Sequence, residues 1–188
     1  MDSQRIVYKG YDSENGIEVF WNSINLKDVE DKTQNNLISN LKQLERIGRH
    51  QNFLNILKID INKENKQINL ITEISNGEIA KRYIRKLKSL KLKIFQKWIK
   101  QILKGLQFLH KNGIVHGSLS SDSIFINSND GKVKIGSLGL RALYSKKGEN
   151  TLTMEADIYA FGVCILELIF SNFKEYQKQS RLLLEKVF

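Results

Sequence analysis

The chain has 188 residues and a mass of 21.8 kDa, enough to bury one substantial core or two small lobes. No apolar run approaches the ~20 residues that span a bilayer, the polar start MDSQR is no secretory signal, and a single cysteine, Cys164, excludes an internal disulfide and a multi-cysteine metal site. A net charge of +10 admits nucleic acid, acidic protein or anionic lipid as a partner and chooses none of them.

In chain order, residues 6–8 and 18–25 read as strands around the turn Asp12-Ser-Glu-Asn-Gly16, where Asn15-Gly16 supplies the positive φ of a tight turn. A helix with Leu37, Leu41 and Leu44 on one face follows and ends at Gly48. Two further strands, near 57–63 and 68–75, flank the polar loop NKENKQ. Ser75-Asn-Gly77 breaks the pattern and is the expected hinge. Beyond it, Ile94, Phe95, Trp98, Ile99, Ile102, Leu103, Leu106 and Leu109 form a wide buried helical stripe. Residues 124–127 and 132–136 are short strands joined by an Asn-Asp-Gly turn, a hairpin that brings residues near 116–123 and 137–139 to one end of the ribbon. Residues 154–170 are apolar nearly all round and read as a central helix, with Cys164 a buried spectator. A second amphipathic helix is expected over 174–188. Trp21 and Trp98 both read as core.

Several pieces in this order resemble a protein kinase. YDSENGIEVFWN is similar to the turn and third strand of the small lobe, and RHQNFLNIL to the segment after its helix. LITEIS is similar to its last strand, LQFLHKNGIVHGSL to the helix entering the catalytic loop, and DIYAFGVCILEL to the central helix of the large lobe. Asn22 in the third strand, His116-Gly117, and the run Lys134-Ile-Gly-Ser137 resemble the with-no-lysine kinases and, more so, the nuclear receptor-binding protein pseudokinases. The resemblance implies an α+β fold of two lobes: a small β-rich lobe over 1–74 without its first strand and glycine-rich loop, a hinge at 75–77, and a shortened helical lobe over 78–188. Only seventeen residues separate Gly139 from Asp157, and no A-P-E motif is present.

The resemblance also assigns positions. The third-strand lysine falls at Asn22, its helix glutamate at Asn40 or Leu41, the catalytic aspartate at Ser118, the following lysine at Ser120, the metal-binding asparagine at Ser123 and the metal-binding aspartate at Ser137. Thr72 is at the gatekeeper position, Phe20 and Phe125 line the pocket, and Phe20 is expected to project into the base site. Leu44, His116, Leu138, Gly139 and Asp157 fall at packing and anchoring positions. Arg5 falls where with-no-lysine kinases place their substitute lysine. Phosphoryl transfer rests on positioning and charge stabilisation, hydroxyls are poor magnesium ligands, and loss of a general base alone costs about 10²–10⁴-fold.

The expectation is therefore an inactive pseudokinase acting as a scaffold, not an enzyme, with no ATP or Mg²⁺ cofactor. It would be intracellular and soluble, cytoplasmic or cytoskeleton-associated, with a protein partner covering apolar surface on the central helix. The first alternative is a degenerate kinase that still binds ATP or retains serine/threonine phosphotransfer. The second is a basic binder of nucleic acid or a polyanionic filament. His116 with Ser118, Ser120, Ser121 and Asp122 lacks the spacing of a Ser–His–Asp triad, and His50 and His110 suggest no metal site. The basic run from Lys81 to Lys93 could meet an acidic partner, although a solvated helix face is the plainer reading and its aromatics are too few to stack nucleic-acid bases.

Overall fold

The computed structural model describes residues 5–137 and 153–184, and for residues 172–184 the backbone course alone. The described residues form an α+β fold with a four-stranded antiparallel sheet, a three-stranded antiparallel sheet and four helices. A β-rich part is followed by a helical one, in the order that the resemblance implies.

The first sheet is built from β1 (Arg5–Asp12), β2 (Ile17–Asn25), β3 (Ile56–Asn62) and β4 (Gln67–Glu73), in the order β1-β2-β4-β3. The β1–β2 turn closes as its sequence requires: Gly16 sits at φ 67° and donates its N–H to the Asp12 carbonyl at 2.8 Å. In register, Val7 lies opposite Asn22, Asn22 opposite Leu70, and Phe20 opposite Thr72. Cross-strand partners share a face, so Arg5, Val7, Phe20, Asn22, Leu70 and Thr72 look to the same side. That side is covered by α1 (Asp31–Ile47), which buries Leu37 and Leu41 and stops at Gly48, φ 80°.

The other face is open, and here Trp21 departs from the expected core position. It is 43% exposed, packed at 5.5 Å against Tyr8 with its indole N–H donated to Asn69 Oδ1. Strand periodicity alone sends Trp21 to the side opposite Asn22, and no element covers that side among the described residues.

Gly77 lies close to the Ile126 backbone, and the chain then forms β5 (Glu78–Ile79), which adds to the hairpin of β6 (Ile124–Ile126) and β7 (Val133–Ile135). β5 and the short helix α2 (Ala80–Lys86) are absent from the sequence-based expectation. Their signals are too short for periodicity to register. α3 (Leu92–Lys111) follows, with Phe95, Trp98, Ile102, Leu106 and Leu109 buried as the stripe requires. Together with Ile114, Ile124, Ile126, Ile135 and Leu168 these residues form the lower core. Full burial of each large aliphatic contributes about 1.5–3 kcal/mol of transfer free energy.

α4 (Met154–Leu184) corrects a second expectation: the helix is continuous where a break and a separate helix over 174–188 were anticipated. Ser171-Asn-Phe173 contains no glycine or proline to stop it, and the Ser171 hydroxyl donates back to the Glu167 carbonyl at 2.6 Å, a bond that a helix accommodates. Nor is its first half enclosed on all sides. Asp157, Cys164 and Leu168 are buried, whereas Tyr159, Leu166 and Phe170 are exposed. No helix among the described residues is long and apolar enough to cross a membrane.

At the junction before β5, Gly77 packs directly against the backbone of β6 at Ile126. A Cβ there would sit 2.7 Å from the Ile126 carbonyl carbon, whereas one at Gly162 in α4 would meet nothing within 4 Å. Gly77→Ala is expected to destabilise by about 1–3 kcal/mol through overpacking, and Gly162→Ala to stabilise by roughly 0.5–1 kcal/mol through helix propensity. Urea denaturation of the two variants beside the parent chain checks both signs.

Candidate functional site

Between the first sheet and the β6–β7 hairpin lies a cavity of about 480 Å³, within the 300–1,000 Å³ range of small-molecule sites. Val7, Phe20, Leu44, Thr72 and Phe125 form its apolar wall, with Arg5, Asn22 and Ser137 among its polar groups. Phe20 lines this space without filling it.

Arg5 and Asn22 make one unit. Asn22 is 3% exposed and donates its amide to the Leu70 carbonyl at 3.1 Å, which turns its Oδ1 towards β1. That oxygen accepts from the Arg5 guanidinium twice, Nε at 3.0 Å and Nη2 at 2.5 Å. A neutral amide at the third-strand position thus orients a cation supplied by the neighbouring strand. On α1, Leu41 is fully buried and Asn40 half-buried, and the carboxylate that this helix brings to the cavity lining is Glu45.

The loop at 116–123 does not line the cavity itself; it lies behind Gly136 and Ser137, which do, and is tied to them through His116 and Ser118. Asp157, 1% exposed, reaches up from α4 and accepts from His116 N at 2.7 Å, Gly117 N at 2.8 Å and His110 Nε2 at 2.8 Å. The fully buried His116 is fixed at both ring nitrogens: Nδ1 accepts from Ser118 N at 3.2 Å, which leaves Nε2 to donate to the Gly136 carbonyl at 3.1 Å. Burial pushes its pKa down to about 4, against the partial opposition of the Asp157 charge. His116 is therefore a neutral structural imidazole at neutral pH.

The serines of the loop turn inward on backbone. Ser118 Oγ donates to the Ser137 carbonyl. Ser123 Oγ accepts from Ser120 N at 2.9 Å and donates to Ser120 O at 2.8 Å. Ser121, 1% exposed, donates to Glu167 of α4 at 2.6 Å, and Asp122 is exposed. Ser137 holds a left-handed backbone, φ 63°, uncommon for a residue with a Cβ. The structure thus brings Ser118 and Ser137 together and places Ser120 and Ser123 a step away in the same loop. Leu138 and Gly139 lie outside the described residues.

A magnesium ion does not fit the groups present. The hydroxyls of Ser118 and Ser123 are committed to backbone, and no three His, Cys, Asp or Glu side chains gather among the described residues. The cavity lining itself combines an apolar wall with the Arg5 and Arg49 guanidinium groups and the Glu45 carboxylate.

Sequence reasoning missed two polar ties across the cleft. Glu73, at the end of β4, accepts from the Asn55 backbone at 2.9 Å, the Asn55 amide at 3.0 Å, and Lys134 Nζ on β7. Asn52 donates to the Val133 carbonyl at 2.9 Å, while Ile135 N donates to Asn52 O and Leu54 N to Ile135 O, both at 2.9 Å. The alternation of Lys134 with inward Val133 and Ile135 was the available signal for the first. For the second, no local signal existed.

The protein kinase domain model matches residues 4–154 of the chain. The chain belongs to the protein kinase family. Within that family it is similar to serine/threonine-protein kinase WNK8 of Arabidopsis thaliana, 33% identical over 185 residues, 88% of this chain and 33% of the relative. Probable serine/threonine-protein kinase WNK10 of the same plant is 33% identical over 95% of this chain and 38% of its own. Probable serine/threonine-protein kinase WNK5 of Oryza sativa subsp. japonica is 31% identical over 90% of this chain and 58% of its own. The chain thus spans between a third and about three-fifths of the length of these relatives. These kinase-domain relatives overturn the expectation of a non-enzymatic scaffold, which rested on reading each lost charge as lost activity. The names they bear are those of serine/threonine-protein kinases, and they favour the alternative, a degenerate kinase.

Two outcomes follow from the geometry around Asp157 and His116. Asp157→Ala removes one carboxylate from three donors, two of them backbone N–H groups, and is expected to destabilise by about 3–5 kcal/mol. Asp157→Asn should cost less, because one oxygen remains; urea midpoints measure both. For His116 the folded pKa, about 4, lies below the unfolded 6.5. As pH falls through this window the unfolded chain takes up a proton that the folded chain refuses. Stability is therefore full above pH 6.5 and lost towards pH 4, with a slope of at most about 1.4 kcal/mol per pH unit. The partly buried His50, stacked at 4.4 Å on Phe108, is shifted down by burial and adds in the same direction. Denaturant titrations at pH 7.5, 6 and 5 should show this slope, and His116→Gln should flatten it.

Proposed function

We propose that the chain is a nucleotide-binding protein kinase module in which Arg5 serves as the phosphate-binding cation, and that it transfers phosphate to serine or threonine hydroxyls slowly. The observation that carries this reading is the buried Asn22 amide holding the Arg5 guanidinium at the cavity wall. Arg5 presents a planar donor fork, suited to phosphate oxygens. Phe20, Leu44 and Phe125 supply apolar surface for a base, and Thr72 adds a hydroxyl beside it.

ATP, when bound, supplies the phosphoryl group. The chain contributes orientation, charge and exclusion of water, which together account for most of the catalysis of phosphoryl transfer. No carboxylate stands at Ser118 to take a proton from an acceptor hydroxyl, and the hydroxyl of Ser118 itself points to Ser137. The rate falls by about the 10²–10⁴-fold that a general base provides. Because the chain spans only part of its relatives' length, their substrates are not carried over to it. A reducing intracellular setting accords with ATP as ligand and with the buried Cys164.

Thermal shift with ATP, with and without Mg²⁺, tests binding. A ligand at 100 times its Kd stabilises by about 2.7 kcal/mol. ATP is expected to raise Tm without added metal, and Arg5→Ala to weaken ATP binding by about tenfold or more, one charge-assisted contact being worth roughly 1.5–3 kcal/mol. Transfer of labelled γ-phosphate to a serine/threonine peptide should fall in the same variant. An absent shift, or one that Arg5→Ala leaves intact, overturns the reading.

A further inference from the structure

Charge is unevenly distributed along this chain. Between Ile79 and Ser121 there are eleven Lys and Arg and no Asp or Glu, while the remainder carries nineteen basic against twenty acidic residues. The whole net charge therefore resides in one segment, α2, α3 and the loop after them. On α3 it is ordered. Lys93, Lys97, Lys100, Lys104 and Lys111 follow the spacing i, i+4, i+7, i+11, i+18 and all are exposed. That spacing places them in a single row, on the side of the helix opposite the buried Phe95, Trp98, Ile102 and Leu109. From first to last the row runs ~27 Å at 1.5 Å per residue. Leu92, 69% exposed, and Leu103, 39% exposed, form an apolar ridge along one flank.

An ordinary solvated helix face mixes signs, because opposite charges at i, i+4 support the helix and like charges weaken it. Here like charges adjoin at 93/97, 97/100 and 100/104, and none of the five lysines has a carboxylate partner among the described residues. The row costs the isolated chain stability that an opposite charge from outside would return. None of the five lines the cleft.

We propose that this face of α3 docks an acidic amphipathic helix of a partner protein, its carboxylates laid along the lysine row and its leucines on the Leu92–Leu103 ridge. Three features select this occupant. The heptad-like spacing suits a second helix lying alongside, with charge pairs flanking an apolar seam. Single-stranded nucleic acid is held by aromatics that stack on its bases as well as by charge on its phosphates, and α3 presents no exposed aromatic beside the row. An interfacial membrane helix would turn its apolar face outward with lysines at the margins, whereas here the lysines occupy the crest and the broad apolar face is buried.

The test uses the full chain and a fluorescein-labelled helical peptide with glutamates at heptad spacing beside leucines, followed by anisotropy over a salt series. Single-stranded polyuridylate and vesicles of equal parts phosphatidylcholine and phosphatidylserine are the competing probes. The peptide is expected to bind most tightly and to weaken with salt. The triple variant Lys97→Glu/Lys100→Glu/Lys104→Glu should lower its affinity at least tenfold, and the milder Lys→Gln triple severalfold. Lys27→Glu/Lys32→Glu/Lys42→Glu, with the same net charge, should have little effect. Leu92→Ser/Leu103→Ser should weaken the peptide and leave polyuridylate binding unchanged. Equal losses in the two glutamate triples, tighter binding of polyuridylate or vesicles, or indifference to the leucine substitutions would each overturn the proposal. Circular dichroism melts confirm that these surface variants fold.

Discussion

The Asp157 carboxylate holds the helical part of the molecule in register with the cleft. It is almost wholly buried, a position that is tolerable only because three donors converge on it. Those donors come from two places: the last turn of α3 through His110, and the loop after it through the backbones of His116 and Gly117. One side chain on α4 therefore sets the direction in which the loop leaves the helix. His116 then passes the constraint on, because its ring bridges the Ser118 amide and the Gly136 carbonyl. The chain from α4 to Ser137 is a relay of short polar contacts within an aliphatic core, where unpaired groups would be costly. Neutrality of the imidazole belongs to this arrangement: a protonated ring could not accept from Ser118 N.

The upper wall of the cleft solves a different problem, placing a cation without the usual lysine on the central strand. Register makes this feasible. Val7 is the direct partner of Asn22, and Arg5 is its diagonal neighbour two residues away on the same face. Long side chains reach across such diagonals. Asn22, anchored to Leu70, then serves as an aiming device for the guanidinium rather than as a charge in its own right. The charge has moved one strand towards the sheet edge.

Much of this was legible in the sequence, for reasons that differ by residue. Gly16 and Gly48 announced the β1–β2 turn and the end of α1, because a positive φ leaves few other choices. The apolar stripe of α3 was unambiguous at twenty residues, while β5, two residues long, was not. Trp21 was misplaced because hydrophobicity was allowed to override strand alternation. A separate helix over 174–188 is the expectation, but Ser171-Asn-Phe173 holds no residue that ends a helix, and α4 runs through it. Within the site, the residues standing at charged family positions could be read off, but their consequences could not. Asn22 as a mere vacancy and Asn22 as the holder of Arg5 look identical in one dimension; only strand pairing distinguishes them. The Glu73–Lys134 tie joins residues sixty-one apart, beyond any local signal.

Serine stands at 118 and 120 where the family resemblance implies an ionised aspartate and lysine, and at 123 where it implies a neutral asparagine, yet the loop keeps its shape. A short hydroxyl both accepts and donates, and Ser123 does both to Ser120, closing a local turn of the kind serine favours. Ser118 ties the loop to Ser137 in the same way. A carboxylate at 118 would have to be directed away from the Ser137 carbonyl, since an ionised oxygen cannot donate to it. The serines therefore supply the conformational half of the role and surrender the electrostatic half. What remains among the described residues is a preorganised loop behind Gly136 and Ser137, an apolar wall, and the Arg5 and Arg49 guanidinium groups with the Glu45 carboxylate in the lining. In the transfer proposed for such a site, rate would depend on how well the reactants are held, with Arg5 as the proposed phosphate cation.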